Sequence, residues 1–351
     1  MKHGLYIHIP VCAGKCAYCD FVSAPMDICA RAQYIDALAK EVGQRCAGVE
    51  FDTVFIGGGN PGALEDGELE KLLSVLPKVS GEFTVEVNPE SVTKRKVNVL
   101  TKHGVNRVSL GLQTHDDGIL AAIGRRHNYA GFAKAVEILR REEITNLNAD
   151  VMLGLPNQDL VSAGETVARL IDLGLPHISV YSLKVEDGTP LHKSGYAADT
   201  DLQADMYDAA RERLGAAGLK RYEVSNFARA GYECRHNLKY WRCEPYIGCG
   251  LAAHSHTGNE RTANTADLGK YLRGETQEQT EVLTDVQMRT EYIMLGLRLE
   301  NGIKLDKDLL VQKKSQIDRL TQTNCIVISN GRLTVAPDKF YVANGIIADL
   351  I

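Results

Sequence analysis

Three cysteines lie within eight residues near the start of the chain, directly after an apolar segment at residues 5–9. Cys12, Cys16 and Cys19 have C-x3-C-x2-C spacing. A loop with this spacing can bring three thiolates to three corners of one inorganic cluster, and a [4Fe-4S] cluster normally takes four cysteines. The spacing therefore predicts a [4Fe-4S] cluster whose fourth iron is open to another ligand. A zinc knuckle, which usually needs a fourth Cys or His nearby, and buried structural thiols are the alternatives.

The elements that must position this loop are predicted by the chain that follows it. Short β-branched segments alternate with segments that place apolar residues at i, i+3, i+4 and i+7, as a helix with one buried face does. The predicted strands are residues 5–9, 53–56, 83–87, 107–112, 148–153 and 177–183. Six β-α units in series favour an α/β fold in which a parallel sheet curls into a partial TIM-type (β/α)6 barrel.

Polar residues and glycines interrupt this pattern where the predicted strands end. Gly57, Gly58 and Gly59 follow the second strand, Glu86 lies near the end of the third, and Gln113 ends the fourth. The chemistry of such a barrel collects at the carboxyl ends of its strands. Consecutive glycines let the backbone approach a ligand where a side chain would not fit, although glycines also make tight turns.

The order of these motifs resembles the HemN-like branch of the radical SAM superfamily along the whole chain. The motifs are the cysteine loop with Tyr18 before its third cysteine, then GGG-N-P, E-V-N-P, G-L-Q, G-R-R-H and N-A-D-V-M-L-G-L-P. The resemblance implies that S-adenosylmethionine chelates the open iron through its amine and carboxylate. An electron from the reduced cluster can then split the sulfonium and release an adenosyl radical.

The same resemblance implies which residues bind S-adenosylmethionine. Tyr6 and Tyr18 would flank the cluster and the cofactor, and Gly59 with Asn60 would meet the methionyl amine beside Gly58. Glu86 and Arg125 would bind the methionine end of the cofactor. Gln113 and Asp150 would hold the ribose hydroxyls. Arginine forks to carboxylates, and Gln and Asp accept hydrogen bonds from diols. The alternatives are an ion pair of Arg125 with Glu142 or Glu143, a strand-end cap at Glu86, and a backbone bridge at Asp150.

A second candidate site is the HNxxYW motif formed by His236, Asn237, Tyr240 and Trp241. It resembles the HemW group of the same branch, whose members are heme-binding proteins thought to act as heme chaperones. Tyr240 and Trp241 could supply an aromatic platform for a porphyrin, and His236 an axial nitrogen. A hydrogen-bonded structural histidine and a core tryptophan are the alternatives. Other residues nearby could supply a thiolate or a second ligand: Cys234, Cys243, Cys249, His254 and His256.

The resemblance implies a protein that binds heme, the [4Fe-4S] cluster and S-adenosylmethionine, and passes heme to an acceptor protein. An oxygen-independent coproporphyrinogen III dehydrogenase and a HemN-like radical SAM methyltransferase are the alternatives. The porphyrinogen-oxidising enzymes typically carry one more cysteine two residues past the third, where this chain has Phe21. We therefore do not expect dehydrogenase activity, whereas turnover of S-adenosylmethionine stays open. The implied partners include a reductant such as flavodoxin or ferredoxin, and a homodimer is compatible with the resemblance.

Composition excludes several other classes of protein. Lys and Arg number 40 against 45 Asp and Glu, a net charge of −5, so we expect no nucleic-acid partner. No run of about 18 apolar residues predicts a membrane span, and the first residues lack the apolar core of a signal peptide. Nine cysteines at irregular spacing suit a reducing compartment. We expect a cytoplasmic protein.

The chain is expected to divide into a radical SAM barrel (1–228), a connecting segment with the HNxxYW motif (229–282) and a C-terminal helical and winged module (283–351). One more strand is predicted over 221–227. The module is expected to contain helices over 286–299 and 307–320, a type I′ hairpin at Asn330-Gly331 and a final helix. Winged modules often bind DNA, but basic and acidic residues offset each other here, so we expect a lid or docking surface.

Overall fold

Strands and helices alternate over the first 216 residues of the computed structural model, which describes residues 2–351. In chain order these elements are β1 (His3–Ile9), α1 (Ile28–Arg45), β2 (Phe51–Gly58), α2 (Asp66–Val75), β3 (Glu82–Val87), α3 (Lys94–Lys102), β4 (Arg107–Gln113), α4 (Asp117–Ala122), α5 (Tyr129–Arg141), β5 (Asn146–Leu153), α6 (Leu160–Asp172), β6 (His177–Ser182), α7 (Pro190–Lys193) and α8 (Thr200–Ala216). All six predicted strands are confirmed.

The six strands β1 to β6 are parallel and lie in sequence order. Neither edge of this set pairs with the other, because β1 also pairs with a later parallel strand and β6 with a later antiparallel one. The sheet is therefore an open, curled part of a barrel, as predicted. Helices begin where side chains accept backbone N–H groups of the first turn, for example Asp27 at α1 and Asp159 at α6.

The parallel strands have an apolar face toward the helices and a mostly polar face toward the concave side. On β4, Val108, Leu110 and Leu112 are buried in the apolar core beneath the helices, whereas Arg107 and Ser109 face the concave side. The interiors of most TIM barrels are packed with Val, Ile and Leu. The polar interior here leaves room and hydrogen-bonding groups for a ligand.

The segment 229–282 continues the main sheet. It contains α9 (Arg235–Trp241), β9 (Tyr246–Cys249), β10 (His254–Thr257), β11 (Glu260–Asn264), α10 (Leu268–Leu272) and β12 (Gln277–Val282), preceded by the short strands β7 (Lys220–Arg221) and β8 (Asn226–Ala228). Strand β9 pairs with β1, and β10, β11 and β12 follow it in antiparallel order. The single strand predicted over 221–227 is wrong, because the Glu223 carboxylate accepts from the backbone N–H of Ser225 and turns the chain.

The C-terminal part has its own apolar core, which runs from Ile293 to Leu350. Its elements are α11 (Asp285–Gly296), β13 (Ile303–Lys304), α12 (Lys307–Gln312), α13 (Lys314–Gln322), β14 (Ile326–Ser329), β15 (Arg332–Val335) and α14 (Ala343–Ala348). The hairpin is confirmed, with φ of 50° at Asn330 and 71° at Gly331. The single helix predicted over 307–320 is wrong, because Lys313 leaves the helical conformation (φ −116°). The separate core supports a domain boundary near residue 283, which we propose.

Candidate functional site

The cysteine loop leaves the carboxyl end of β1 and is held by backbone hydrogen bonds. The N–H of Cys12 donates to the Ala24 carbonyl (3.1 Å), and the N–H of Ala24 donates to the Pro10 carbonyl (2.9 Å). The N–H of Ala17 donates to the Ile123 carbonyl at the end of α4 (2.9 Å). The loop is therefore fixed at its base and at its tip, and it covers the carboxyl ends of the parallel strands.

A cavity of about 350 Å³ lies beneath this loop; we call it the cluster cavity. All three loop cysteines line it, together with seven of the nine residues predicted to bind S-adenosylmethionine: Tyr18, Gly58, Gly59, Glu86, Gln113, Arg125 and Asp150. These residues come from the loop, from the ends of β2 to β5 and from the turn after α4. The fold brings together positions that are more than a hundred residues apart in the chain.

The three cysteines of the loop all line the cluster cavity. Across residues 2–351, no three His, Cys, Asp or Glu side chains are grouped as a site for a single metal ion. The Sγ of Cys12 lies 3.1 Å from the Gly14 carbonyl, and the Sγ of Cys16 lies 4.0 Å from the Gly124 carbonyl. A cluster binds each thiolate to a separate iron, whereas a zinc ion gathers its ligands tetrahedrally around one point.

The three glycines at the end of β2 are required by packing within the protein. A Cβ on Gly57 would lie 2.5 Å from Glu86 Oε2, and one on Gly59 would lie 2.6 Å from the Val11 carbonyl. Gly58 has a φ of 110°, and a Cβ there would lie 2.6 Å from the His8 ring. The glycines thus let the strand end approach both Glu86 and the base of the cysteine loop. Gly58 and Gly59 still line the cluster cavity.

Two carboxylates lie in the polar interior of the barrel. Burial, reinforced by the neighbouring charge of Asp150, raises the pKa of Glu86 to about 7. Burial also raises the pKa of Asp150, although Asn148 Nδ2 donates to its Oδ1 at 2.8 Å. Glu86 Oε2 accepts from the Gly58 N–H at 3.2 Å. Asp150 is bonded to side chains and not to a neighbouring backbone group, so the backbone-bridge alternative is wrong.

Arg125 lies between the cysteine loop and the strand ends. Its guanidinium donates to Asn88 Oδ1 at 2.9 Å and to the Gly111 carbonyl, and its Nη1 lies 3.8 Å from Cys16 Sγ. Its buried Nε has no hydrogen-bond partner in the described chain. The alternative ion pair with Glu142 or Glu143 is wrong, because Arg125 forms no salt bridge within 4.0 Å in the described chain and Glu142 pairs with Lys94 (3.3 Å). A buried guanidinium with an unused N–H at a cavity wall suits a carboxylate ligand.

Tyr6 and Asn60 do not line the cluster cavity, which corrects the prediction for both side chains. The Tyr6 hydroxyl donates to His8 Nδ1 (3.0 Å), because His8 Nε2 must donate to the Val22 carbonyl (2.8 Å). The Asn60 amide donates to Ser91 Oγ and accepts from the Asn88 N–H. Both side chains are held by hydrogen bonds within the protein and lie outside the cavity lining.

Gln113 reaches the cavity through an uncommon backbone conformation. Its φ is 76°, in the left-handed region that glycine favours, and the pairing of β4 with β5 shifts register between Gly111 and Gln113. Strained conformations of this kind collect at functional sites. The irregularity aims the Gln113 side chain into the cavity.

Sequence reasoning missed the floor of the cluster cavity. Asn88, Arg107, Ser109, Asn148 and Ser179 all line it. The sequence contains a signal for four of them, because Arg107, Ser109, Asn148 and Ser179 lie at polar positions that alternate with apolar ones in β4, β5 and β6. Asn88 follows β3 directly, where the strand ends.

The HNxxYW motif forms α9, which lies against β2. Asn237, Tyr240 and Trp241 line a second cavity of about 560 Å³, together with Tyr246, His256 and Arg261; we call it the aromatic cavity. Tyr181 and Asn237 line both cavities. The two predicted sites are therefore neighbours that share a wall.

His236 does not face the aromatic cavity, which corrects its predicted role as an axial ligand. It is fully buried; its Nδ1 bonds with Thr53 Oγ1 (2.9 Å) and its Nε2 with the Tyr240 hydroxyl (2.8 Å). Burial, with the nearby charges of Lys239 and Arg107, lowers the pKa of His236 to about 3. Both ring nitrogens are thus occupied. His236 therefore positions Tyr240, and it is a hydrogen-bonded structural histidine, the alternative named for it from the sequence.

The other nearby candidates separate by position. Cys234 and Cys249 are fully buried in the core, and His254 is exposed and lies outside both cavities. Cys243 and His256 line the aromatic cavity.

Comparison with known proteins agrees with this geometry. The Radical SAM superfamily model matches residues 6–170. The heme chaperone HemW of Bacillus subtilis (strain 168) is 35% identical over 322 residues, which cover 85% of this chain and 84% of that protein. The heme chaperone HemW of Escherichia coli (strain K12) is 33% identical over 315 residues, covering 84% and 82%.

A solved structure shares the fold. It is the coproporphyrinogen III oxidase HemN from Escherichia coli, a radical SAM enzyme, with a TM-score of 0.87 at 19% identity over 99% of this chain and 90% of that one. None of the helices in residues 2–351 has the length and apolar character of a membrane span. The polar (β/α)6 interior, the cysteine loop and the extent of the identity with HemW proteins together lead to one conclusion: the chain belongs to the HemW family of the radical SAM superfamily.

Proposed function

We propose that this chain binds heme and acts as a heme chaperone, passing the heme to an acceptor protein. The observation that carries the proposal is the aromatic cavity, into which three of the four HNxxYW residues project: Asn237, Tyr240 and Trp241. The names of the related HemW proteins support it.

The walls of the aromatic cavity suit a flat, mostly apolar ligand with acidic edges. The Tyr240 and Tyr246 rings meet edge to face, with centroids 4.6 Å apart, and Trp241 lies on the same lining. Arg261 supplies a cation and pairs with Glu291 of α11 (2.5 Å). A porphyrin plane could pack on the aromatic residues while a propionate pairs with Arg261. Arg261 would then exchange partners when heme enters or leaves.

We further propose that Cys12, Cys16 and Cys19 hold a [4Fe-4S] cluster and that S-adenosylmethionine binds in the cluster cavity. When bound, the reduced cluster supplies the electron that cleaves the sulfonium. Arg125 offers its unpartnered Nε–H to the methionine carboxylate, while Asp150 and Gln113 accept hydrogen bonds from ribose hydroxyls. Tyr18, Gly58, Gly59 and Glu86 complete the lining. The buried loop base excludes water from one side of the site.

The proposed partners follow from these ligands. A heme chaperone needs an acceptor protein, and the cluster needs a reductant such as a flavodoxin or ferredoxin; a homodimer is a further proposal. All nine cysteines of the described chain are free thiols, which suits a reducing compartment. We therefore propose that the protein works in the cytoplasm.

Hemin titration tests the chaperone function. We expect saturable uptake of one hemin per chain with a shifted Soret band, and transfer of that heme to an apo-hemoprotein. Trp241→Ala and Tyr240→Ala should weaken the uptake, because they remove the aromatic walls. Tyr232→Ala is the control, since Tyr232 lines neither cavity. Unsaturable binding, or equal affinity in all three variants, would contradict the proposal.

One observation favours a second function, radical chemistry on a porphyrin. Tyr181 and Asn237 form the wall between the cluster cavity and the aromatic cavity, so a radical formed in one would arise next to a ligand in the other. An enzyme of this kind should release 5′-deoxyadenosine in proportion to product. A dehydrogenase should also release carbon dioxide, and a methyltransferase S-adenosylhomocysteine. Anaerobic product analysis with and without hemin separates these outcomes from a chaperone, which should give none of them stoichiometrically.

A further inference from the structure

We propose that His256 is the axial ligand of the heme iron, an inference that rests on the heme binding proposed above. His256 lies on β10 and lines the aromatic cavity with only 8% of its surface exposed. Within residues 2–351, its buried Nδ1 has no hydrogen-bond partner. Buried polar groups are nearly always paired, because an unpaired one loses its bonds to water without compensation. A metal ion would satisfy the unpaired nitrogen of an imidazole on a residue that lines a cavity.

The imidazole is presented by rigid parts of the fold. His256 pairs with Tyr246 of β9 across the antiparallel ladder, and the two rings lie nearly parallel, 6.3 Å apart at 26°. The Tyr246 ring in turn meets Tyr240 of the HNxxYW motif. A ligand held on a paired strand keeps its geometry better than one on a free loop. Imidazole nitrogen is also a common axial ligand of heme iron.

The neighbouring cation completes the ligand chemistry. His256 and Arg261 are opposite each other on the β10–β11 hairpin, and both line the aromatic cavity. Heme has an iron at its centre and carboxylates at its edge. A histidine and an arginine on one hairpin can therefore address both parts of the same molecule.

The other candidate ligands are less suitable. His236 has both ring nitrogens bonded within the protein, and the exposed His254 lies outside the aromatic cavity. Cys243 lines the cavity, but burial and the charge of Glu291 raise the pKa of its thiol. A heme iron takes cysteine as the thiolate, so a protonated Cys243 is a poor competitor for His256.

The test uses hemin-loaded full-length protein and three variants. In His256→Ala, we expect the axial-imidazole absorption and electron paramagnetic resonance signals to disappear. The hemin dissociation constant should rise on the order of 10- to 100-fold, the range seen when groups supporting a metal site are lost. Free imidazole added to His256→Ala should restore the spectrum. His254→Ala is the matched control on the same strand and should resemble the wild type, while circular dichroism verifies folding of every variant.

The outcomes distinguish this inference from the proposed function. If the wild type binds hemin and His256→Ala keeps its spectrum and affinity, His256 is not the ligand and the chaperone proposal stands. If imidazole fails to restore the spectrum of a folded His256→Ala protein, the assignment is also overturned. If the wild type takes up no hemin, both the function and the ligand assignment fail. Loss of the signal only in Cys243→Ser would assign the ligand to the thiol instead.

Discussion

Individual side chains in the barrel interior carry charges that burial makes costly. Glu86 and Asp150 lie near Arg107 and Arg125 in a region from which bulk water is largely excluded. In the described chain, neither Arg107 nor Arg125 forms a salt bridge within 4.0 Å. Charges without close partners are retained in a protein interior mainly where a ligand uses them. These unpaired buried charges therefore indicate a binding site in which the ligand supplies the missing partners.

The raised pKa of Glu86 predicts how stability depends on pH. The folded protein holds the Glu86 proton up to a pH of about 7, whereas the ordinary value is 4.5. The protonated form therefore stabilises the fold fully below pH 4.5, and this contribution is lost as pH rises through 7. Raising the pKa of Glu86 from 4.5 to about 7 corresponds to roughly 3 kcal/mol of stability. Glu86→Gln cannot ionise, so cofactor-free Glu86→Gln protein should be more stable than the wild type at pH 8.

Urea denaturation at pH 5 and pH 8 measures this difference. The advantage of Glu86→Gln should shrink at pH 5, where Glu86 of the wild type is protonated in the folded state. Glu212→Gln is the control, because the Glu212 side chain is 75% exposed. An advantage that does not change between the two pH values would contradict the assignment.

Arg125 provides a second prediction at this scale. Arg125→Lys keeps the positive charge but loses the planar fork, so it should weaken S-adenosylmethionine binding by about 1 to 3 kcal/mol. Calorimetric titration of protein with a reconstituted cluster measures the change. Arg140→Lys is the control, since Arg140 caps the Leu173 carbonyl on the outer surface (2.7 Å). If Arg125→Lys binds as tightly as the wild type, Arg125 does not contact the carboxylate.

At the scale of elements, the end of β2 fixes the cysteine loop. The N–H of Gly59 donates to the Ile9 carbonyl (2.8 Å), and the N–H of Asn60 donates to the Val11 carbonyl (2.7 Å). Side chains at residues 57–59 would separate these segments. The three glycines therefore allow β1, β2 and β3 to pack closely together. They affect ligand binding because they fix the position of the cysteine loop.

Gly59→Ala should consequently disturb the loop. Its Cβ would lie 2.6 Å from the Val11 carbonyl and 3.0 Å from the Ile9 carbonyl, two rigid backbone atoms. We expect a loss of about 1 to 3 kcal/mol in the free energy of unfolding, with less iron and sulfide retained after reconstitution. Gly43→Ala in α1 is the matched control, because a Cβ there meets no atom within 4 Å. That variant should be neutral or slightly stabilised. Equal stability and equal iron content of the two variants would show that the Gly59 packing does not fix the cysteine loop.

At the scale of the whole molecule, the aromatic cavity lies where the barrel meets the C-terminal module. Glu291 and Leu295 of α11 line it opposite α9. Arg221 of β7 joins the two parts: it donates to Glu300 (2.9 and 2.6 Å), and its guanidinium lies 3.5 Å from the centre of the Phe340 ring. A change in how the module docks would therefore change access to the aromatic cavity.

Arg221→Gln should loosen this junction. We expect about 2 kcal/mol of destabilisation from the lost charged hydrogen bonds and the lost cation–π contact. Hydrogen exchange should become faster in α11 and around Phe340. Arg273→Gln is the control, because its pair with Glu275 is exposed on both sides (62% and 57%) and solvent screening makes such a pair contribute little. Exchange that is unchanged in α11 would show that the module docks independently of Arg221.

The sequence alone determined the repeating architecture and the cysteine loop. The six strands and the hairpin at Asn330-Gly331 follow from local spacing. The cofactor residues came from the family resemblance, and seven of those nine line one cavity. Local spacing suffices for these features because parallel strands bring their carboxyl ends together whatever the details of packing. It failed at 221–227 and at Lys313, where a turn bonded by Glu223 and a single change in φ interrupt regular patterns.

Only the tertiary structure decided which neighbouring side chains face a cavity. His236 and His256 lie twenty residues apart in one motif-rich segment, and their types alone favour neither as a ligand. In the fold, Thr53 and Tyr240 occupy both nitrogens of His236, whereas His256 lines the aromatic cavity and keeps one unpaired nitrogen. Hydrogen-bond partners from distant strands set the availability of a side chain, and spacing along the chain carries no information about those partners.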